Sequence, residues 1–458
     1  MIFEKVRSEG LAHLSYVIGS GGSGAVIDPR RDCDEYLEIA RDEDISIDFI
    51  FETHRHEDFV TGSLELAGMT GAKIFHGSKM DFGFGNPAED GQEFELGDIV
   101  VRSIDTPGHT DESISLVISE SGGGRVPLKV FSGDALFIGD VGRTDFLGPM
   151  EGRRLAAELY DSIHNRILPL GDGVMLCPAH GAGSVCGGLI SVREESTLGL
   201  ERKLNPRLQM ERDEFIEFKS GEVLPTPPYF SLMERYNLEG PPVLGSLPVP
   251  GAVRPAELRR LLDEGANVVD TRFPPSYSGA HIPGSISIWF GGLPTVPGWV
   301  IPHDRPIVLV LANRDYAETA ARYLTRLGYD DIRGYLCSGP EACGLEAWYA
   351  EAEPLGRLGI ISVQELKVRI DEGSDLTIID VRPEDGWNHG HIPGSMNVYS
   401  GEMLDVEDIP REKPVITICN VGNMATHAAS LLAAKGYGDI SVVLGGMMAW
   451  KKAGYPVE

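Results

Sequence analysis

Four short segments place histidine or aspartate where apolar runs give way to loops. Thr53-His54-Arg55-His56-Glu57-Asp58-Phe59 follows a run ending at Phe51. Thr106-Pro107-Gly108-His109-Thr110 and Pro178-Ala179-His180-Gly181 each carry one imidazole, and Ser132-Gly133-Asp134-Ala135 adds a carboxylate after Lys129-Val130-Phe131. Imidazoles and carboxylates at strand ends can converge on one point, and a nitrogen and oxygen donor set with positions left open is what a catalytic metal site requires. A lone His-x-His would more often be a polar loop. Four such pieces in this order predict a metal centre.

A second chemistry resides in Cys419, just after the apolar run Val415-Ile416-Thr417-Ile418. It opens the loop Cys419-Asn420-Val421-Gly422-Asn423-Met424, with a helix predicted from Ala425 towards Lys435. A thiol there faces backbone N–H groups and the positive end of a helix dipole, which favours a thiolate or persulfide anion and lowers the pKa.

The elements that must position these residues follow from the pattern. From residue 14 to about 220, short apolar runs alternate with Gly/Asp-rich turns, and helical periodicity appears at 35–41, 62–69 and 153–167. This predicts a layered α/β domain over residues 1–220. Residues 221–253 hold Pro225, Pro227, Pro228, Pro241, Pro242, Pro248 and Pro250, a density that disfavours a continuous helix and predicts an ordered or semi-rigid connector. An internal repeat follows. Asp270-Thr271-Arg272 and His281-Ile282-Pro283-Gly284-Ser285 recur as Asp380-Val381-Arg382 and His391-Ile392-Pro393-Gly394-Ser395 at one constant offset. Two homologous domains are therefore expected, at 254–355 and 356–458. Aligning the strands sets Ala312 opposite Cys419. The first copy would then carry no sulfur, and Cys337 and Cys343 lie in the wrong element to substitute.

The 458 residues are 42% hydrophobic and 24% charged, with a net charge of −29. That balance excludes nucleic acid as a partner and disfavours anionic membrane surfaces. Six cysteines without a CxxC pair fit no disulfide framework or zinc ribbon and suggest a reduced, cytoplasmic protein. There is no apolar signal core or membrane span. The sequence is compatible with a homo-oligomer.

The four donor segments resemble the metallo-β-lactamase superfamily pattern HxHxDH, then His, Asp and His. Gly139-Asp140-Val141-Gly142-Arg143-Thr144-Asp145-Phe146 looks like the branch of glyoxalase II and the persulfide dioxygenases. Gly142 to Phe146 and Pro178-Ala179-His180-Gly181-Ala182-Gly183-Ser184 are similar to rhodanese-fused persulfide dioxygenases. The repeat, together with Leu444-Gly445-Gly446-Met447-Met448-Ala449-Trp450, resembles rhodanese sulfurtransferases, with Asp380 and Arg382 as support. The resemblance implies an α/β multidomain chain: an N-terminal αββα sandwich, a degenerate rhodanese-like domain and a catalytic one acting through Cys419.

One departure bears on the metal. The last His of HxHxDH, used by two-metal members, is Phe59 here. The resemblance then implies the mononuclear set His54, His109 and Asp134, with open positions suited to one Fe(II) per chain; zinc is the alternative. His56, Asp58 and His180 would orient ligands or bond substrate. The implied partners are a small-molecule thiol persulfide and O2, with sulfite, free thiol and, through sulfur transfer, thiosulfate. Arg143 is a candidate for an acidic group of the thiol carrier, or a structural pair with Asp145. Cys186 is a candidate persulfide acceptor or a small buried thiol. The Cys419 loop lacks arginine, which favours a persulfide over thiosulfate as donor. Two other readings are a glyoxalase II-type zinc thioester hydrolase with accessory rhodanese domains, and a sulfur carrier or sensor without turnover.

Overall fold

Alternation with period two decides the N-terminal architecture. In the computed structural model, which describes residues 1–458 apart from 123, 147, 223 and 337–343, Tyr16 and Ile18 turn to one core while Val17 between them turns to another. One sheet comprises β1 (Ile2–Ser8), β2 (His13–Ser20), β3 (Ser23–Ile27), β4 (Ser46–Phe51), β5 (Lys73–Gly77) and β6 (Asn86–Ala88), in that order. The other comprises β7 (Glu93–Leu96), β8 (Ile99–Asp105), β9 (Ile114–Glu120), β10 (Pro127–Gly133), β11 (Met175–Pro178) and β12 (Ser196–Thr197), again neighbouring in chain order.

Tyr16, Ile18, Phe51, Phe94, Leu116 and Phe131 fill the space between the sheets. Outside the first sheet, Tyr36, Ala40 and Leu66 from the helices Asp34–Asp42 and Ser63–Thr70 cover Val17, Val26 and Ile50. Outside the second, Leu159, Ile163 and Phe215 cover Val117, Val130 and Leu176. Each Val, Leu, Ile or Phe among them contributes roughly 1.5–3 kcal/mol through burial, and the result is the expected αββα sandwich. β4, β8, β10 and β11 all end towards the loops that carry the four donor segments.

The chain divides into two compact units, Met1–Ser246 with Thr325–Gly328, and Leu247–Leu324 with Tyr329–Glu458. The second unit holds two five-stranded parallel sheets of identical order. One comprises β13 (Ala252–Val253), β14 (Asn267–Asp270), β15 (Ile286–Ser287), β16 (Ile307–Val310) and β17 (Ile332–Leu336), ordered β13-β17-β16-β14-β15. The other comprises β18 (Gly359–Ile361), β19 (Thr377–Asp380), β20 (Met396–Asn397), β21 (Val415–Ile418) and β22 (Ile440–Val443), ordered β18-β22-β21-β19-β20. The repeat seen in sequence is a repeat of topology. Among the described residues no helix is long and apolar enough to cross a membrane.

Two expectations need correction. The stretch predicted as a connector contains the ten-residue helix Phe230–Glu239, seated between the proline clusters, and it belongs to the first unit. Prolines at 225–228 and 241–242 bound this helix rather than prevent it. In the first rhodanese-like copy, Asp270 pairs Val310, as Asp380 pairs Ile418 in the second. The residue opposite Cys419 is therefore fully buried Leu311, not Ala312. Strand pairing fixes the register, which aligning the strands by sequence alone does not, and moves the match by one residue; neither side chain can carry sulfur. Cys337 and Cys343 lie outside the described residues.

Candidate metal centre and cysteine loop

Hydrogen bonds on the far side of two imidazole rings leave a bare nitrogen on each. Asp28 accepts bonds from Thr53 N (2.7 Å) and Thr53 Oγ1 (2.8 Å). With its own proton given to Asp28, Thr53 Oγ1 accepts from His54 Nδ1 at 2.9 Å. His109 Nδ1 donates to the Arg143 carbonyl at 3.0 Å. Both rings therefore present an Nε2 lone pair, the tautomer a metal ligand needs. His54 Nε2 lies 3.7 Å and His109 Nε2 3.6 Å from Asp134 Oδ2. All three residues are buried, and neither Nε2 has a hydrogen-bond partner. Unpaired buried nitrogen is costly, and a cation at this point would satisfy both. The residues present fit a metal ion.

The loop that carries Arg143 must pass very close to this point. A Cβ on Gly142 would fall 2.0 Å from the Asp134 carbonyl oxygen and 3.2 Å from His109 Nδ1. The Gly-Arg pair is thus a backbone requirement of the site.

Asp134 is held from behind. His180 Nδ1 bonds it at 2.7 and 3.0 Å, and His180 Nε2 bonds Asp58 Oδ2 at 3.0 Å. With a carboxylate on each ring nitrogen, His180 donates from both. Burial disfavours its charge, but Asp134 and Asp58 more than reverse that and raise its pKa to about 10. Burial likewise opposes ionisation of Asp134, yet His180, His54 and His109 hold its carboxyl well below the usual carboxylate range.

His56 turns away from this point. Its Nε2 lies 3.3 Å from Asp28 Oδ1 and 3.5 Å from Glu52 Oε2. Burial opposes its protonation, but these carboxylates push its pKa well above the ordinary value. Phe59 is fully buried, its ring tilted against those of His56 (ring centroids 4.5 Å) and His13 (4.1 Å). The donor atoms of Asp28, Glu52 and His56, and of Asp58, His180 and Cys186, also cluster. However, Asp28 is engaged by Thr53, and Asp58 and His180 bond each other.

Glu57 is a site residue that sequence reasoning missed. It is fully buried, neither carboxylate oxygen has a hydrogen-bond partner, and Oε2 lies 3.6 Å from His109 Nε2. With His54 and His109 it forms a donor set of its own. The available signal was its place inside a segment otherwise made of site residues. The helix Phe230–Glu239 was missed too. Its Asn237 Nδ2 donates to the carbonyls of His56 and Phe59 (both 2.7 Å), and its Oδ1 accepts from Thr61 N (2.9 Å). The proline-rich stretch thus clamps the donor loop.

The Arg143 guanidinium is engaged within the chain. It is fully buried, forks onto Asp145 at 2.7 and 2.8 Å, and gives its remaining donors to Val185 O, Leu224 O, Pro225 O and Thr226 Oγ1. The structural pair with Asp145 is the correct reading. Cys186 is fully buried, and burial together with Asp58, Asp134 and Glu57 raises its pKa well above the ordinary thiol value. This thiol stays protonated, a poor persulfide acceptor.

In the second unit, Gly422 N lies 3.1 Å from Cys419 Sγ, and the N–H groups of Val421, Met424 and Ala425 also favour the thiolate. They can do so because the loop's carbonyls are engaged elsewhere. Met447 N, Met448 N and Gly445 N bond the carbonyls of Cys419, Asn420 and Val421 at 2.8, 3.1 and 3.0 Å. Gly446 must be glycine, since a Cβ there would lie 2.1 Å from the Cys419 carbonyl oxygen. The expected depression of the Cys419 pKa is not found: the residue is only 2% exposed, and burial outweighs the N–H donors, leaving the pKa raised. Asn423 begins the helix Asn423–Ala434. Arg382 forks onto Asp380 and reaches the Gly390 carbonyl at 3.1 Å, a bracing role repeated by Arg272, Asp270 and Ala280.

Comparison with known proteins agrees with this geometry. The metallo-beta-lactamase superfamily profile matches residues 9–180, and that of the rhodanese-like domain matches residues 254–350 and 362–453. The chain is 31% identical over 184 residues to the mitochondrial persulfide dioxygenase ETHE1 of Homo sapiens, covering 39% of this chain and 63% of that protein. It is 28% identical over 210 residues to hydroxyacylglutathione hydrolase GloC of Haemophilus influenzae, covering 41% of this chain and 87% of that one. A crystal structure of a metallo-beta-lactamase from Staphylococcus aureus subsp. aureus COL superposes with a TM-score of 0.65 at 30% identity, covering 73% of this chain and 98% of that one.

Proposed function

This chain belongs to the metallo-beta-lactamase superfamily, with two rhodanese-like domains following in the same polypeptide, and we propose that it is a persulfide dioxygenase coupled to sulfur transfer through Cys419. A role in sulfur metabolism is supported by its likeness to persulfide dioxygenase ETHE1 and by the rhodanese-like pair. The observation that carries the finer reading is the pair of bare Nε2 atoms of His54 and His109, 3.7 and 3.6 Å from Asp134 Oδ2, beside a Phe59 that cannot ligate.

His54, His109 and Asp134 would hold one Fe(II), with Glu57 as a further anionic donor alongside. When bound, the iron would supply open positions where O2 and the persulfide sulfur can meet, the electrons for O2 reduction coming from that sulfur. The chain's own residues prepare the site for it. Thr53 and Asp28 fix the His54 tautomer, the Arg143 carbonyl fixes that of His109, and His180, braced by Asp58, fixes the Asp134 carboxylate. Burial of all three donors keeps bulk water out. Overall, the outer sulfur of R–S–SH gains three oxygens, two from O2 and one from water, leaving R–SH and sulfite. At Cys419, sulfite attacks the outer sulfur of the persulfide. A sulfur–sulfur bond forms in thiosulfate, the Cys419 sulfur–sulfur bond breaks, and its electron pair returns to Sγ.

The zinc thioester-hydrolase reading, suggested by the likeness to GloC, would draw on a second metal where Phe59 stands. Oxygen uptake distinguishes them. With glutathione persulfide the iron-loaded protein should consume O2 in step with sulfite production and leave S-D-lactoylglutathione intact. Thioester hydrolysis with no O2 uptake on the persulfide would overturn the proposal.

A further inference from the structure

A helix of the second rhodanese-like copy packs against the first. The helix Asn423–Ala434 packs on β15 of the first copy, where His427 Nδ1 lies 2.8 Å from the Ser287 carbonyl and Ser287 N donates to Ser430 Oγ at 3.0 Å. A carbonyl can only accept, so the Nδ1 carries the proton and Nε2 presents a lone pair. That nitrogen is buried and without a hydrogen-bond partner. Burial drives the His427 pKa down to about 4, so the ring is neutral at physiological pH and Nε2 is an acceptor only.

His427 also lines a cavity of about 210 Å³. Trp289, Thr295 and Trp299 of the first copy form one side, and Tyr399, Met424 and His427 of the second form the other. The Trp299 and Tyr399 rings meet edge to face, with centroids 5.1 Å apart. No charged side chain lines the cavity among the described residues. Met424 is common to both places, for its N–H favours the Cys419 thiolate and the residue lines the cavity. The volume is roughly seven water volumes, enough for a short stem. Aromatic walls suit apolar atoms, the uncharged lining gives an anion no counter-charge, and the single buried acceptor calls for one N–H or O–H donor.

We propose that this cavity binds the neutral, amide-bearing stem of a small thiol that exchanges sulfur with Cys419, its amide N–H donating to His427 Nε2. The proposal rests on Cys419 being the sulfur carrier. The acceptor thiol loses its proton to solvent, and its thiolate attacks the outer sulfur of the Cys419 persulfide. A new sulfur–sulfur bond forms on the acceptor, the old one breaks, and the electron pair stays on Cys419 Sγ, which solvent reprotonates. The degenerate first copy, which carries no sulfur at Leu311, thereby supplies half of the substrate site.

The test measures binding of S-methyl-N-acetylcysteamine, which cannot take up sulfur, to the full chain by calorimetry and tryptophan fluorescence. Saturable binding is expected, about tenfold tighter than that of the anionic S-methyl-3-mercaptopropionate. His427→Asn keeps an amide donor for the Ser287 carbonyl but removes the Nε2 acceptor, and should weaken binding about tenfold. Val296→Trp, which fills the cavity from the first copy without touching His427, should abolish it. No saturable binding to the native chain, preference for the anion, or indifference to both substitutions would overturn the proposal. Whether Cys419 carries sulfur is read separately, by mass spectrometry of the protein after treatment with a persulfide. Probe binding without persulfidated Cys419 would overturn the exchange step and leave the cavity's ligand standing.

Discussion

Glu57 and Phe59 flank Asp58, and these neighbours govern how many cations the donor loop can take. Phe59 removes a ligand where the family pattern has one. Glu57 brings a buried carboxylate with no hydrogen-bond partner to His109, so Glu57→Gln should weaken iron binding by about 10–100-fold. Competition with a chelator under anaerobic conditions measures this, and an unchanged affinity would place Glu57 outside the metal's reach. At Cys419, replacement by serine keeps the loop but substitutes a hydroxyl that stays protonated. Cys419→Ser should still consume O2 with a persulfide while its product shifts from thiosulfate to sulfite alone, as chromatography would show. An unaltered product ratio would deny Cys419 its role. His54, His109, Asp134 and Cys419 were legible because their spacing follows strand ends. Glu57 and the fate of Arg143 were not, because each depends on which side of a packed loop a side chain faces.

At the scale of elements, the lesson lies in the proline-rich stretch. Its prolines read as a connector, yet the ten residues between them form a helix whose Asn237 makes three hydrogen bonds to the donor loop. No local pattern announces a contact between residues some 180 positions apart. Asn237→Ala would leave buried carbonyls and an N–H unpaired, at about 1–3 kcal/mol each. It should lower both stability and iron affinity; denaturant unfolding and chelator competition that found neither would show the helix to be incidental. The helix Asn423–Ala434 gives a pH-dependent counterpart. His427 has a pKa of about 4 against its ordinary 6.5, so the unfolded chain binds its proton first as pH falls. Its contribution to stability is complete above pH 6.5 and is lost between 6.5 and 4, by about 3 kcal/mol in all. Urea unfolding of the native chain should therefore weaken more steeply over that range than that of His427→Asn. Equal slopes would contradict a neutral buried imidazole.

For the whole molecule, the repeat read from two short motifs became two sheets of the same strand order, and only the register of β16 against β14 corrected which residue stands opposite Cys419. The candidate metal donors and Cys419 lie in different compact units. Asp134→Ala is therefore expected to abolish O2 uptake while sulfur transfer from a persulfide through Cys419 stays measurable; loss of both in a folded protein would refute that independence. The claim on which the rest depends is a single-iron centre at His54, His109 and Asp134. Elemental analysis of protein purified without O2, with the same three residues replaced one at a time by alanine, tests it most directly. One iron per chain, lost in each variant, is the expected result; two tightly held metals per chain, or zinc retained when His109 or Asp134 is replaced, would contradict it.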